Sequence, residues 1–283
     1  MKNKTSPSIM MYMLLPKGLV SRIFGFFTRI PLPAFLMKGL IRWYSTKYNV
    51  IDEYITPPDG FKTFNDFFTR NLMDGVRQID DQGISSVSPV DARIDEYGEI
   101  LENVIMQAKG LNYTLDELIP SERAGQFEGG SFITLYLSPG DYHRIHSPVH
   151  GVITGVYHVP GKLFSVQEFM VKGLPGLFAK NERIITYIDS DAGNVAVCKI
   201  GALNVGRITL SYNDIRSNRT FRKRREIIFD DDSRVPVKCG DELGVFNLGS
   251  TIILLFQKGS INFDTLMRGK KIRMGERIGT MGK

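Results

Sequence analysis

Cysteine is scarce: Cys198 and Cys239 are the only two in 283 residues. Two thiols cannot build a disulfide framework, and neither belongs to a CxxC pair, so a thiol-rich zinc site is excluded too. Such sparse usage fits a reducing, cytoplasm-facing compartment. Long apolar runs are also missing. The run Ile9 to Leu15 is followed by Pro16 and Lys17 with no small-x-small cleavage site, which predicts no signal peptide. Lys17, Arg22, Arg29, Lys38 and Arg42 interrupt every window approaching the ~20 apolar residues that a membrane-spanning helix needs. GxSxG does not occur, so a hydrolase nucleophile elbow is not supported.

Acid is absent from one stretch. Residues 1–51 contain Lys2, Lys4, Lys17, Arg22, Arg29, Lys38, Arg42 and Lys47 but no Asp or Glu. The whole chain carries +6, so residues 52–283 carry 6 − 8 = −2. A nucleic-acid protein would usually place its basic surface on the folded body, so no nucleic-acid partner is expected. Within the basic stretch, Leu19, Val20, Ile23, Phe26, Phe27 and Ile30 share one helical face. Pro31 and Pro33 end that helix. A second one follows, with Leu36, Met37, Leu40, Ile41, Trp43, Tyr44 and Tyr48 beside Lys38, Arg42 and Lys47. Aromatics opposite Lys and Arg, with no acid, predict helices lying on an anionic membrane surface. Packing of the same face on the protein's own core is the alternative.

Beyond residue 52 the pattern becomes strand-like. TFNDFFTR predicts one more short helix, and helical pieces are expected near Leu115–Ile119 and Val166–Phe169. Short β-rich runs punctuated by glycine cover Ser131–Leu137, Val152–His158, Ile184–Ile188, Asn194–Tyr212 and Ser250–Gln257. The expected class is α+β: a mainly antiparallel, sandwich- or barrel-like β body (52–283) carrying N-terminal amphipathic attachment helices (1–51).

Four histidines, His143, His146, His150 and His158, lie close together, two of them in YLSPGDYHRIHSP. Gly249 and Ser250 stand at the mouth of a strongly apolar strand, and Asp91 follows a proline in SPVDARI. Asp, His and Ser this far apart meet only through the fold. The residues alone leave two other readings open: zinc held by His143, His146 and Asp91, or an ordinary turn and strand end.

Taken together, TFNDFFTR, SPVDA, KGLNYTLDEL, FEGGSF, YLSPGDYHRIHSP, PGKLFSV, LFAKNER, GALNVG and LGST, in that order, make the chain resemble the phosphatidylserine decarboxylase family. The resemblance runs from about Leu14 to the C-terminus, and YHRIH followed by LGST is its most specific part.

The resemblance implies a proenzyme that cuts itself between Gly249 and Ser250. Ser250 Oγ would attack the Gly249 carbonyl, His146 would take the hydroxyl proton, and Asp91 would hold the imidazole. Elimination and hydrolysis would then leave a covalent pyruvoyl group made from Ser250, with no metal, as the electron sink for decarboxylation. His143 is the implied proton donor to the product.

The resemblance further implies phosphatidylserine as substrate, phosphatidylethanolamine and CO2 as products, and a peripheral location on the cytoplasmic face of the inner membrane. Fragments 1–249 and 250–283 would stay associated, and a homo-oligomer is compatible with the pattern. Two departures stand out: Ala92 where the family has Gly, and Cys239 where it commonly runs Lys-Gly. The basic segment Arg216–Arg225 reads as a solvated loop balanced by Asp230, Asp231 and Asp232.

Overall fold

The computed structural model describes residues 17–203, 207–219, 223–247 and 251–282. Three helices come first: α1 (Lys17–Phe27), α2 (Ala34–Tyr48) and α3 (Phe64–Phe68). Pro33 stands at the entry of α2, and Asn49, at φ 52°, ends it in the left-handed region with its N–H returned to the Ser45 carbonyl. Thr63 and Asp66 form a reciprocal capping box that starts α3.

Strands dominate the rest: β1 (Ser85–Val87), β2 (Ala92–Glu99), β3 (Val104–Ala108), β4 (Leu111–Thr114), β5 (Ser131–Tyr136), β6 (Arg144–His146), β7 (Gly151–Val159), β8 (Arg183–Ser190) and β9 (Gly193–Ile200). They continue as β10 (Arg207–Leu210), β11 (Arg225–Ile228), β12 (Val235–Val237), β13 (Glu242–Asn247), β14 (Thr251–Phe256), β15 (Ile261–Phe263), β16 (Lys271–Ile272) and β17 (Arg277–Met281). Short helices at Leu115–Leu118 and Glu168–Val171 fall where the sequence predicts them.

A nine-stranded sheet runs in the order β11-β7-β8-β9-β14-β5-β2-β16, with β12 also on β7. It is antiparallel throughout and open at both ends, so the β body is layered and not a closed barrel. Smaller sheets pair β10-β13-β6, β1-β17-β15 and β3-β4.

One face of the large sheet, including Ile185, Tyr187, Ala196, Ile253 and Leu255, packs on Leu115, Leu118, Phe127 and Phe178 from the short helices. The other face, including Ile184, Val197, Ile252 and Leu254, packs on Ile145, Ile208, Leu243 and Phe246 from the β10-β13-β6 sheet. The central strand is therefore dry on both sides, which is why β14 reads as unbroken TIILLF and not as an alternating pattern.

The expected single run Asn194–Tyr212 divides. β9 ends at Ile200, and β10 joins the other sheet. Gly201 lies at the break, its N–H bonded to the Glu182 carbonyl, where an added Cβ would come within 3.0 Å of that oxygen.

The second N-terminal helix is fastened to the body through an aromatic patch. Tyr44 of α2 packs its ring on Phe64, Phe67 and Phe68, and its hydroxyl donates to the Pro139 carbonyl at 2.8 Å. Met37 is buried too, and Leu40, Ile41 and Tyr48 pack against the patch, but other apolar side chains stay outside: Phe35 is 74%, Phe26 67% and Phe27 62% exposed, and Leu19, Ile23, Leu36 and Trp43 are exposed to lesser degrees. Among the described residues no helix is long and apolar enough to cross a membrane.

Candidate functional site

Gly249 and Ser250 lie outside the described residues, in the chain between Asn247 and Thr251. Thr251, the first residue of β14, stands opposite Tyr136 of β5 and Ile200 of β9. Just past those partners, Leu137, Ala202 and Leu203 line a cavity of about 220 Å3. Phe24 of α1, Tyr44 and Phe68 line its other side. Asn247, ending β13, is the last described residue before the gap.

β6 runs beside β13, with Arg144 opposite Val245 and His146 opposite Glu242. This pairing brings the two histidines of YHRIH to the strand that leads into residues 248–250. The His143 carbonyl accepts from the Phe246 N–H at 2.9 Å. His143 itself is fully buried, its ring against Phe68 with centroids 4.1 Å apart. Its Nδ1 donates to the Asp141 carbonyl at 2.7 Å, because a carbonyl can only accept. The bare Nε2 is then an acceptor, and it is buried with no partner among the described residues. Burial, reinforced by the Arg70 charge, pushes the His143 imidazole down to about 3. It is neutral at physiological pH.

His146 is held differently. Its Nδ1 donates to the Gly240 carbonyl at 2.7 Å, and its Nε2 accepts from the Tyr142 hydroxyl at 3.1 Å. Tyr142 stacks on the imidazole with an interplanar angle of 25°. Gly240 sits at φ 87°, in a turn closed by Asp241 N–H to the Lys238 carbonyl. Cys239, within that turn, leaves the Gly240 carbonyl aimed at His146 and puts its own N–H on His150 Nδ1 at 3.4 Å. Burial lowers the pKa of His146, opposed by the Gly240 bond and the charges of Glu242 and Asp91.

Asp91 is clamped by Arg77, with Nε to Oδ1 at 3.2 Å and a second nitrogen to Oδ2 at 2.6 Å. The Met274 N–H adds a third bond to Oδ1 at 2.8 Å. Arg77 also binds Glu53, which in turn meets Arg273. Among the described residues, the hydrogen bonds of His146 go to Gly240 and Tyr142, and Asp91 acts on it through its charge alone. Ala92, the departure beside Asp91, is buried at the start of β2 opposite Ile272. No three His, Cys, Asp or Glu side chains gather as a ligand set among the described residues.

Sequence reasoning missed Arg77, Tyr142, Gly240 and Phe68 as site residues. Tyr142 was legible in principle, being four residues from His146 within YHRIH. Arg77 and Gly240 carry no local signal, since their bonds form only across the fold. Part of the basic segment, 220–222, lies outside the described residues. Arg216 is 3.9 Å from Asp214, whereas Asp231 pairs with Arg234 and Asp230 with Ser233.

The chain matches the phosphatidylserine decarboxylase family over residues 64–280. It is 41% identical over 271 residues to a phosphatidylserine decarboxylase proenzyme from Myxococcus xanthus, covering 95% of this chain and 96% of that one. A Dechloromonas aromatica protein of the same name is 41% identical over 250 residues, covering 87% and 88%. One from Anaeromyxobacter is 38% identical over 268 residues, covering 94% and 95%.

Proposed function

The chain belongs to the phosphatidylserine decarboxylase family, and from that premise we propose that it cuts itself between Gly249 and Ser250 and converts phosphatidylserine to phosphatidylethanolamine and CO2. The observation that carries the reading is the pair of neutral, buried histidines beside β13, at the entrance to a fully buried β14.

Self-cleavage needs a base for the Ser250 hydroxyl. With Nδ1–H tied to the Gly240 carbonyl, the lone pair of His146 is at Nε2, and its lowered pKa keeps it unprotonated near neutrality. Tyr142 holds the ring in place through stacking and its hydroxyl. As the Ser250 Oγ–C bond to Gly249 forms, His146 takes the hydroxyl proton and carries positive charge, and it returns that proton to the Ser250 nitrogen as the C–N bond breaks, leaving an ester and a free amine. Asp91, itself locked by Arg77 and Met274, favours that charge.

A pyruvoyl group at residue 250 supplies a carbonyl that draws electrons from the breaking carboxylate bond. The residues present fit such a group: Thr251 Oγ1 and His143 Nε2 are both buried with no partner among the described residues, and the strand behind Thr251 is dry. His143 Nε2 is the group we assign to protonate the substrate carbon once CO2 has left, relaying a proton released as the substrate amine condenses. Phe68 and Tyr44 keep water from the reacting centre.

Both fragments stay associated because residues 251–282 supply β14, β15, β16 and β17. These pair with β5, β9, β2 and β1 of the larger fragment. The exposed apolar side chains of α1 and α2 dock on an anionic membrane, where the lipid substrate resides. Residues 1–51 form this attachment and 52–283 the catalytic body.

Intact mass under denaturing conditions tests the proposal. Two species meeting at Gly249–Ser250 are expected, the smaller lighter by one ammonia than hydrolysis predicts. An active sample of uncut chain would refute it, and so would cleavage persisting in Ser250→Ala.

A further inference from the structure

Away from the β14 cavity, four arginines meet. Arg22 and Arg29 of the α1 region, Arg207 at the start of β10, and Arg219 of the basic segment line a cavity of about 380 Å3, with Gly25 and Phe26. Among the described residues the lining contains no carboxylate. Glu182, which accepts from the Asn218 N–H behind it, also engages His158. Arg207 Nε is buried and has no hydrogen-bond partner among the described residues. Burial lowers the pKa of Arg207, and the charges of Arg29, Arg216 and Arg219 lower it further. A buried guanidinium nitrogen left unbonded beside other arginines, as at Arg207, costs free energy that a bound anion would recover.

The cavity is tied to both ends of the proposed chemistry. Arg29 reaches the Asn247 side-chain oxygen at 3.5 Å, and the Asn247 amide donates to the Arg207 carbonyl at 3.0 Å. Asn247 is three residues from Ser250, at most ~11 Å of extended chain. On the other side Phe26 is 67% exposed, on the face assigned to the bilayer. The site therefore lies between the exposed apolar face of α1 and Asn247, the end of the strand that leads toward residue 250.

We propose that Arg22, Arg29, Arg207 and Arg219 bind the phosphodiester of the phospholipid substrate and so align its serine with residue 250. This rests on the decarboxylase reading. The substrate has two anionic groups, and the chemistry separates them. A guanidinium clamp on the carboxylate would stabilise the state that must lose CO2, and would slow the reaction. The phosphodiester keeps its charge throughout, so arginines can hold it with fork-like hydrogen bonds at no catalytic cost. The carboxylate is left to the apolar side, near Phe68 and His143.

The test uses the full chain. Glycerophosphoserine titrated calorimetrically into uncut Ser250→Ala should bind, and Arg207→Gln with Arg219→Gln should weaken binding about ten-fold or more, with Arg207→Lys retaining part of it. In the cleavable chain the same pair should raise KM for monomeric short-chain phosphatidylserine while leaving turnover of an O-alkyl serine unchanged. Several results would overturn the proposal: equal losses on both substrates, inorganic phosphate binding more tightly than the phosphodiester, or weaker flotation on anionic vesicles with KM unchanged. Binding of glycerophosphoserine without any CO2 release from phosphatidylserine would sink the decarboxylase reading but leave the anion site standing.

Discussion

The imidazole of His143 rests on the ring of Phe68, centroids 4.1 Å apart and planes inclined by 43°, with Nδ1 bonded to the Asp141 carbonyl. α3 thus fixes a histidine whose other nitrogen is left bare. His143→Gln is expected to cut itself at the normal rate yet lose roughly 10²- to 10⁴-fold in CO2 release, the usual worth of a positioned acid–base group. Intact mass and trapped CO2 on one preparation separate the two steps. A variant that fails to cut would move His143 into maturation.

The base for cleavage has its own pH signature. His146 is most basic where Nε2 is unprotonated, and its folded pKa lies below the ordinary 6.5. The cleavage rate of freshly made precursor should therefore be level through neutrality and fall only on the acid side of 6.5. Followed by gel from pH 5 to 8, a rate that halves at or above 6.5 would contradict the assignment. His146→Ala should stay uncut at every pH.

Arg77 should matter although it touches neither histidine. Its removal takes two hydrogen bonds from the partly buried Asp91 carboxylate and frees Glu53, and charge-assisted bonds of this kind contribute roughly 1.5–3 kcal/mol. Arg77→Ala is expected to lower Tm and slow cleavage together. Arg77→Lys, which keeps the charge but not the two-pronged geometry, should recover stability more than cleavage. Full-rate cleavage in Arg77→Ala would remove Asp91 from the reaction.

Membrane docking can be tested without harming the core. Phe26 and Phe27 are largely exposed, so Phe26→Ser with Phe27→Ser should leave Tm within a degree or two and abolish flotation with vesicles containing phosphatidylglycerol. Undiminished flotation would assign the exposed face to something other than lipid.

Much of this was legible in the residues because it is local. Proline breaks and apolar spacing placed α1 and α2, the phenylalanines of TFNDFFTR placed α3, and the strongly apolar run after Gly249 marked a strand. The motifs ordered Asp91, His143, His146 and Ser250 along the chain. What they could not carry was anything made by distant segments: the Arg77–Asp91 clamp, the Gly240 carbonyl that sets the His146 tautomer, and the meeting of Arg219 with α1. The division of Asn194–Tyr212 was hidden for the same reason, since both halves are rich in β formers and only the second sheet tells them apart.

β14 pairs residue by residue along its whole length, Thr251 to Phe256, with β5 on one side and β9 on the other. A chain opened just before Thr251 keeps every one of those bonds, so the cut is invisible to the folded state. It is not invisible to the unfolded one. Once the strands separate, the short piece can return only by finding its partner in solution, so refolding becomes concentration-dependent while the precursor folds as a single molecule. The mature form would then be an assembly made once: its lifetime is set by how slowly β14 leaves the sheet, and not by the equilibrium that first placed it there.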